Sequence, residues 1–168
     1  MLQRLCIALC FFSTATLADV QHVDTHGFIV ENTIVSAHTS EQVWQALVQN
    51  VDDWWPKDHS WWEGTFTLEA KAGGCFCETH TNKSAEHMRI VYVEPGKTLR
   101  MSGGLGPLQG MGMNGALDWQ LTPTEDGTKV TLTYRVHGVN SGGFAELAPI
   151  VAHVQGIQLN SLKDFLNK

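Results

Sequence analysis

The clearest pattern in the sequence is an alternation of apolar and polar residues over 113–122, Met-Asn-Gly-Ala-Leu-Asp-Trp-Gln-Leu-Thr. The same period of two recurs over 129–137, Lys-Val-Thr-Leu-Thr-Tyr-Arg-Val-His. Successive side chains of a strand point to opposite faces of its sheet, so both segments are predicted to be strands with one apolar face. This pattern is typical of an antiparallel sheet that is covered on a single side.

Further strands are predicted upstream, separated by turn-forming pairs such as Gly73-Gly74 and Pro95-Gly96. Residues 28–35 are rich in β-branched residues and favour a first strand. The later strands, including the two quoted above, are predicted at 65–71, 75–81, 87–94, 98–103, 111–122 and 129–139. Residues 52–64 are expected to form a tryptophan-rich loop.

Two helices are predicted. Thr39 or Ser40 caps a short helix after the first strand. Near the C-terminus, Pro149 fits only in a first turn, so a long helix is expected to start near Leu147 or Ala148. Its large apolar side chains fall within an arc of about 140°: Phe144, Leu147, Ile150, Val151, Val154, Ile157, Leu162 and Phe165. To bury this stripe the sheet must curl around the helix, which gives an α+β fold.

Residues 1–18 have the organisation of a signal peptide. Arg4 precedes a short apolar run, and small residues stand at Thr16 and Ala18, the two positions that a signal peptidase reads. The run is shorter than the roughly 20 apolar residues of a spanning helix. We therefore predict cleavage after Ala18, export as a periplasmic or secreted protein, and no integral membrane association afterwards. An uncleaved anchor is the alternative. Residues 19–27 are then an N-terminal tail, and 28–168 one domain.

The composition narrows the classes of partner. Lys and Arg number 11 against 17 Asp and Glu, a net charge of −6, which argues against binding to the phosphate backbone of nucleic acid. Six Trp and seven Phe provide enough apolar surface for a packed core, so disorder is not expected. Only Cys75 and Cys77 lie beyond the predicted signal peptide, so burial, not a disulfide framework, must stabilise the domain.

The order of these features resembles the SRPBCC superfamily, in its branch related to heat-shock ATPase activators. The resemblance covers residues 28–168 and is carried by residues 39–44, Trp54-Trp55, Gly73-Gly74 leading into Phe76 and Glu78, residues 89–96, and residues 127–133. It implies the helix-grip fold, with a cavity between the curved sheet and the C-terminal helix that binds an apolar small molecule. It implies no reaction, because carriers, cyclases, hydroxylase modules and co-chaperones share this fold.

A small hydrophobic molecule or lipid is therefore the predicted ligand, and no cofactor is expected. The predicted contacts are aromatic and methionine side chains, together with two polar residues inside the helical stripe: Trp54, Trp55, His59, Trp61, Met101, Leu108, Met113, Trp119, Tyr134, Gln158 and Ser161. Two structural alternatives stay open. The tryptophan loop could instead seal the open end of the sheet, and Gln158 and Ser161 could pair with carbonyls of the sheet or lie at a frayed helix end.

Cys75 and Cys77 share one face of a predicted strand, and three interpretations compete. They are two buried apolar thiols, a redox-active disulfide, or soft-metal ligands together with His80 or His87. The spacing matches no strong zinc motif, so no metal site is predicted.

Glu78, His87 and Arg89 are weak candidates for a catalytic set. If His80 pairs with His87 across the hairpin, then Glu78 opposes Arg89. In the cavity these side chains, with or without His59, could transfer protons as in a cyclase or dehydrase. The face containing Met88 and Ile90 is more apolar, so Glu78 and its neighbours are expected on the solvent face, as an ordinary ion pair.

Overall fold

The computed structural model describes residues 18–168, so the predicted signal peptide lies outside it except for Ala18. A single antiparallel sheet contains eight strands in the order β1-β2-β8-β7-β6-β5-β4-β3. The strands are β1 Ala18–Val23, β2 Gly27–Ser36, β3 Thr65–Leu68, β4 Cys75–His80, β5 Lys83–Glu94, β6 Thr98–Ser102, β7 Asn114–Thr124 and β8 Gly127–His137. The helices are α1 Ser40–Gln49, α2 Val51–Trp54, α3 Pro107–Gly110 and α4 Leu147–Leu166.

This architecture confirms the predicted α+β helix-grip fold. The sheet curves around α4, and the short helices α1 and α2 follow the strand β2. The period of two in β7 and β8 places Leu117 and Trp119 of β7 opposite Tyr134 and Leu132 of β8, and all four side chains are at most 1% exposed. The strand prediction was accurate here because burial on one face dictates the alternation.

Of the two predicted capping residues, Thr39 and not Ser40 caps the first helix. The Thr39 side chain accepts a hydrogen bond from the Gln42 backbone N–H (3.3 Å), and Gln42 Oε1 accepts one from the Thr39 N–H (3.0 Å). These reciprocal bonds satisfy two donors that the helix leaves unpaired. The tryptophan-rich loop that follows also contains structure, namely α2 and a short 3-10 turn, Lys57–His59.

The segment predicted as an N-terminal tail contains a strand. Val20 and Val23 of β1 pair with Val30 and Phe28 of β2, so β1 forms one edge of the sheet. The return turn is closed by Asp24 Oδ1, which accepts hydrogen bonds from the backbone N–H groups of His26 (2.7 Å) and Gly27 (3.1 Å). The run Asp-Val-Gln-His-Val is too polar to reveal an edge strand by its hydropathy alone.

The buried face of α4 differs from its predicted stripe. Ile150 and Ile157 are 59% and 39% exposed, whereas the residues that face the interior include Ala148, Ala152 and Gly156. Small side chains allow the helix to lie close to β2, where the Asn32 side chain donates a hydrogen bond to the Ala152 carbonyl (3.2 Å). The predicted stripe therefore faces the interior only in part: Ile150 and Ile157 lie on its exposed edge, whereas Phe144 and Leu162 are at most 1% exposed. None of the helices within residues 18–168 has the length and hydropathy of a membrane span.

Candidate ligand-binding cavity

A cavity of about 350 Å³ lies between the sheet and α4. Three parts of the chain form its walls: the loop around Trp55 and Trp61, the segment around α3, and the N-terminal half of α4. Residues 58–60, 105–108 and Met111 line the first two walls, and Leu147, Ile150, Val151, Val154, Gln155 and Gln158 line the third, with His87 and Tyr134 supplied by the sheet. The volume is within the range of small-molecule sites.

The mouth of the cavity is mainly apolar. Trp61, Met111 and Ile150 line the cavity and are 45%, 46% and 59% exposed, although each carries a large hydrophobic side chain. Exposed apolar residues that cluster at one opening are more informative than the same residues scattered over a surface. They give an apolar molecule a mainly apolar entrance, at which Asp58 adds one exposed carboxylate.

Trp55 lines the cavity and belongs to an aromatic wall that it forms with Phe66 and Phe76. Its indole N–H donates to the His59 carbonyl (3.1 Å), which fixes the turn that follows. The ring packs edge-on against Phe76, with centroids 4.8 Å apart, and lies 5.7 Å from Phe66. Phe66 and Phe76 stack in turn at 5.6 Å. Each ring of this wall is thus packed against the next.

Glu78 anchors this loop from inside the sheet. Its carboxylate is fully buried and accepts three backbone hydrogen bonds, from Trp61 (2.9 Å), Trp62 (3.0 Å) and Gly64 (3.0 Å). A Cβ atom at Gly64 would lie 2.9 Å from Glu78 Oε1 and 2.5 Å from the Thr79 carbonyl, so only glycine allows this close approach. One carboxylate thus positions the segment that carries Trp61 to the mouth.

His87 completes the arrangement and lines the cavity. Its Nε2 lies 3.1 Å from Glu78 Oε2, and the side chains of both residues are at most 3% exposed. Burial raises the pKa of Glu78, but the hydrogen bonds from the loop backbone and from His87 outweigh it and lower that pKa. Burial lowers the pKa of His87 against the opposing influence of Glu78. At neutral pH the pair is therefore a carboxylate and a neutral imidazole that donates through Nε2.

The register between β4 and β5 differs from the prediction. His80 pairs with Lys83, Glu78 with Ala85, and Phe76 with Met88, so His80 does not oppose His87. A bulge between Phe76 and Cys77 leaves His87 without a partner in β4, and His87 and Met88 both turn inward. The predicted solvent-facing position of Glu78 and His87 is wrong for this reason.

Arg89 does not join Glu78 and His87. It pairs with Cys75 across the strands, and its guanidinium contacts Glu86 at 2.6 Å on the outer face, where its side chain is 54% exposed. Of the three weak catalytic candidates, the structure therefore brings together only Glu78 and His87.

The predicted ligand contacts divide into two groups. Six of them line the cavity: Trp55, His59, Trp61, Leu108, Tyr134 and Gln158. The other five do not: Trp54, Met101, Met113 and Trp119 are buried in the packed core, and the Ser161 hydroxyl donates to the Trp54 carbonyl (2.5 Å). Ser161 thus pairs with a backbone carbonyl, but with one of α2 and not of the sheet.

Sequence reasoning missed one polar residue of the cavity wall. Gln155 is 1% exposed and lines the cavity, but at 100° per residue it falls about 20° outside the predicted apolar arc. The arc was defined from large apolar side chains only, so it left out the small side chains that lie beside Gln155 on the helix. Including Ala148 and Ala152 in the pattern would have placed Gln155 inside the buried face.

Cys75 and Cys77 form a disulfide bond, with Cα atoms 5.4 Å apart. Both residues are half-buried on the outer face of β4, whereas Phe76 and Glu78 point inward. The interpretation as two buried apolar thiols is therefore wrong, and a site built on two thiolates lacks its ligands. Across the described part of the chain, no three His, Cys, Asp or Glu side chains are grouped to hold a metal. Redox activity of the disulfide stays a prediction.

The fold and cavity define a helix-grip protein, and comparison with known proteins identifies the family. Residues 28–166 match the family model described as polyketide cyclase/dehydrase and lipid transport. The chain therefore belongs to this family, which confirms the resemblance to the SRPBCC superfamily. No curated protein sequence matches the chain.

Solved structures share the fold at low sequence identity. A protein from Mesorhizobium loti is 18% identical with a TM-score of 0.62, over 83% of this chain and 96% of that one. CalU16 from Micromonospora echinospora is 16% identical with a TM-score of 0.62, over 91% and 87% of the two chains. A protein from Rhodobacter sphaeroides is 18% identical with a TM-score of 0.59, over 90% and 98%. These likenesses concern the fold alone.

Proposed function

We propose that this protein binds and carries a small hydrophobic or amphipathic molecule in the cavity between the sheet and α4. One observation carries the proposal: a cavity of about 350 Å³ is walled mainly by apolar side chains and opens through a mainly apolar mouth. Membership of a family described by lipid transport supports it. Burial of apolar ligand surface against these walls supplies the driving force for binding.

A cavity-filling substitution tests the proposal. Val151 lines the cavity, so Val151→Trp should occupy space that the ligand needs. Ile157 lies on the same helix, is 39% exposed and does not line the cavity, so Ile157→Trp is the matched control. We expect Val151→Trp to weaken binding of the uncharged probe N-phenyl-1-naphthylamine by at least about tenfold, and the control to leave its Kd unchanged. Equal binding by both variants would contradict the proposal.

We also propose that the chain is exported and loses residues 1–18. The signal-like pattern of that segment motivates the proposal, and a disulfide at Cys75–Cys77 agrees with an oxidising compartment. The intact mass of the protein purified from the periplasm or medium tests it: the chain should begin at Asp19 and carry no free thiol. Retention of Met1 would contradict cleavage.

A second candidate function is proton transfer in the manner of a cyclase or dehydrase. The observation that favours it is the hydrogen bond between buried Glu78 and His87, because His87 also lines the cavity. With Nε2 donating to Glu78, Nδ1 of the neutral ring is left as the proton acceptor. In D₂O, His87 would remove a proton α to a ketone carbonyl and return a deuteron from solvent.

Deuterium exchange into 2-tetralone tests this second candidate. We expect the wild-type protein to accelerate exchange over buffer and His87→Gln to abolish the acceleration while still binding the ketone. Exchange at the buffer rate in the wild-type protein, or undiminished exchange in the variant, would exclude His87 as the base and leave the carrier function.

A further inference from the structure

We infer that the molecule bound in the cavity is uncharged and carries, at its polar end, a hydrogen-bond donor and an acceptor for the amide of Gln155. The inference rests on the proposed function, because it specifies the ligand class for the same cavity. Three features carry it: the buried amide of Gln155, a second buried polar atom on the tryptophan-rich loop, and the charges around the cavity.

The amide of Gln155 is buried against the cavity without a partner in the protein. The side chain is 1% exposed, and neither Oε1 nor Nε2 has a hydrogen-bond partner among residues 18–168. Buried amides are nearly always paired, since leaving one unpaired forfeits its hydrogen bonds to water. A ligand group that both donates and accepts would satisfy Oε1 and Nε2 together.

The tryptophan-rich loop presents a second buried polar atom without a partner. Nδ1 of His59 is buried and has no hydrogen-bond partner in the part of the chain that the structure describes, and His59 lines the same cavity. Tyr134 offers no comparable site, because its hydroxyl already donates to the Gly103 carbonyl (2.8 Å) and accepts from the Leu105 N–H (2.9 Å). Unpaired hydrogen-bonding groups therefore lie on α4, at Gln155, and on the tryptophan-rich loop, at His59.

The charges around the cavity disfavour an anionic ligand. No lysine or arginine is found among the described residues that line it, and Asp58 contributes a carboxylate. Glu78, ionised behind His87, adds a second negative charge to the same wall. A carboxylate or phosphate would lose its hydration there without gaining a cationic partner. An ammonium group gains little either, because Asp58 is exposed to water and the Glu78 carboxylate already pairs with three backbone N–H groups and with His87. A neutral amide, lactam or hydroxy-ketone avoids this cost and can still pair with Gln155.

A set of naphthalenes that share one ring system separates these ligand classes. The probes are naphthalene-2-carboxamide, 2-naphthoate, 2-(aminomethyl)naphthalene and 2-ethylnaphthalene, titrated at pH 8 by displacement of fluorescent N-phenyl-1-naphthylamine. The carboxamide should bind most tightly. Gln155→Met, which keeps the side-chain length and removes the amide, should weaken carboxamide binding about tenfold and leave 2-ethylnaphthalene binding equal or tighter. The empty variant should melt about 2–4 °C higher.

Gln45→Met is the matched control, because Gln45 is exposed on α1 and does not line the cavity; it should change none of these values. Gln155→Leu serves as the second variant where Gln155→Met does not fold. Carboxylate or amine binding as tight as that of the carboxamide would overturn the inference, as would an equal effect of Gln155→Met on all four probes, or none. If 2-ethylnaphthalene binds and the carboxamide binds no more tightly, this inference is overturned but the proposed function is not. Failure of every probe to bind overturns the proposed function as well.

Discussion

Trp54 and Trp55 are adjacent in sequence and in contact, with ring centroids 5.5 Å apart, but they belong to different parts of the interior. Trp54 meets Trp119 edge-on at 5.9 Å, and its indole N–H donates to the Ala46 carbonyl (3.0 Å) in a filled core. Trp55 forms the wall of the hollow part. Both are at most 4% exposed, so burial alone does not distinguish a residue that fills the core from one that lines a cavity.

The difference lies in what supports each region. The filled region around Trp54 is held mainly by side-chain packing, whereas the walls of the cavity also depend on polar anchors, chiefly Glu78 and the Tyr134 hydroxyl. A wall that faces empty space cannot rely on packing from both sides, so hydrogen bonds to the loop backbone must hold it in place. Substitutions in the two regions should therefore affect stability and binding differently.

The largest expected effect is on the filled region. Trp119 is 1% exposed, and Trp119→Ala should lower the free energy of unfolding by about 3–5 kcal/mol because the core cannot collapse around the lost ring. Trp61→Ala, at the 45% exposed mouth, should cost less than about 1 kcal/mol but weaken binding of N-phenyl-1-naphthylamine. Urea unfolding and probe titration measure both quantities. Similar losses of stability in the two variants would erase the distinction between the regions.

The next largest effect concerns Glu78, which holds the tryptophan-rich loop in place. Glu78→Gln keeps the side-chain shape but places an amide NH₂ among N–H donors, so we expect a loss of about 2–4 kcal/mol in unfolding free energy. Glu86→Gln is the control, because Glu86 is exposed and pairs with Arg89 at the surface; it should cost less than about 1 kcal/mol. Probe binding should weaken only in Glu78→Gln. A variant as stable as the control would mean that the carboxylate does not hold the loop.

A smaller effect is expected at Tyr134, which ties the segment before α3 to the sheet. Burial raises the pKa of its phenol to about 12, so the hydroxyl stays a donor at neutral pH. Tyr134→Phe removes the bonds to Gly103 and Leu105 and should cost about 1–2 kcal/mol in unfolding free energy. Tyr92→Phe, at a 46% exposed position, should change stability little. Equal costs would indicate that packing alone positions this wall.

The fold was predictable because local rules decide it. Alternation in β7 and β8, the capping box at Thr39 and the position of Pro149 each depend on residues close in sequence. The tryptophan loop was also predictable as part of the interior, since so many large aromatic side chains must be buried somewhere. The division between core and cavity was not, because Met101, Met113 and Trp119 share the inward parity of Tyr134.

The pairing of Glu78 with His87 was predictable only in part. Their residue types suggested acid–base chemistry, but the face depends on a bulge that inserts His87 as one extra residue. The hairpin turn adds to the difficulty, because Thr81 adopts a positive φ of 53° that its β-branched side chain disfavours. Gln155 was missed because its small neighbours on α4 carry little hydrophobic signal.

The smallest effect is a pH dependence of the unfolding free energy, which we attribute to His87. Burial lowers the pKa of His87 below its usual 6.5, so the folded protein binds fewer protons than the unfolded chain once the pH falls below 6.5. Unfolding free energy should therefore be constant above that pH and decline below it, by at most about 1.4 kcal/mol per pH unit for one proton. The pKa of Glu78 is also lowered, from 4.5, so its contribution is lost only in a more acidic range.

Urea unfolding between pH 8 and pH 5 measures this slope. His87→Gln retains a donor for Glu78 but cannot be protonated, so its stability should vary less with pH than that of the wild-type protein. His80→Gln, at an exposed position of β4, should keep the wild-type slope. An unchanged slope in His87→Gln would mean that the imidazole is solvated in the folded state. The hollow region would then be wet at His87, and a purely apolar ligand would be a poor match for that wall.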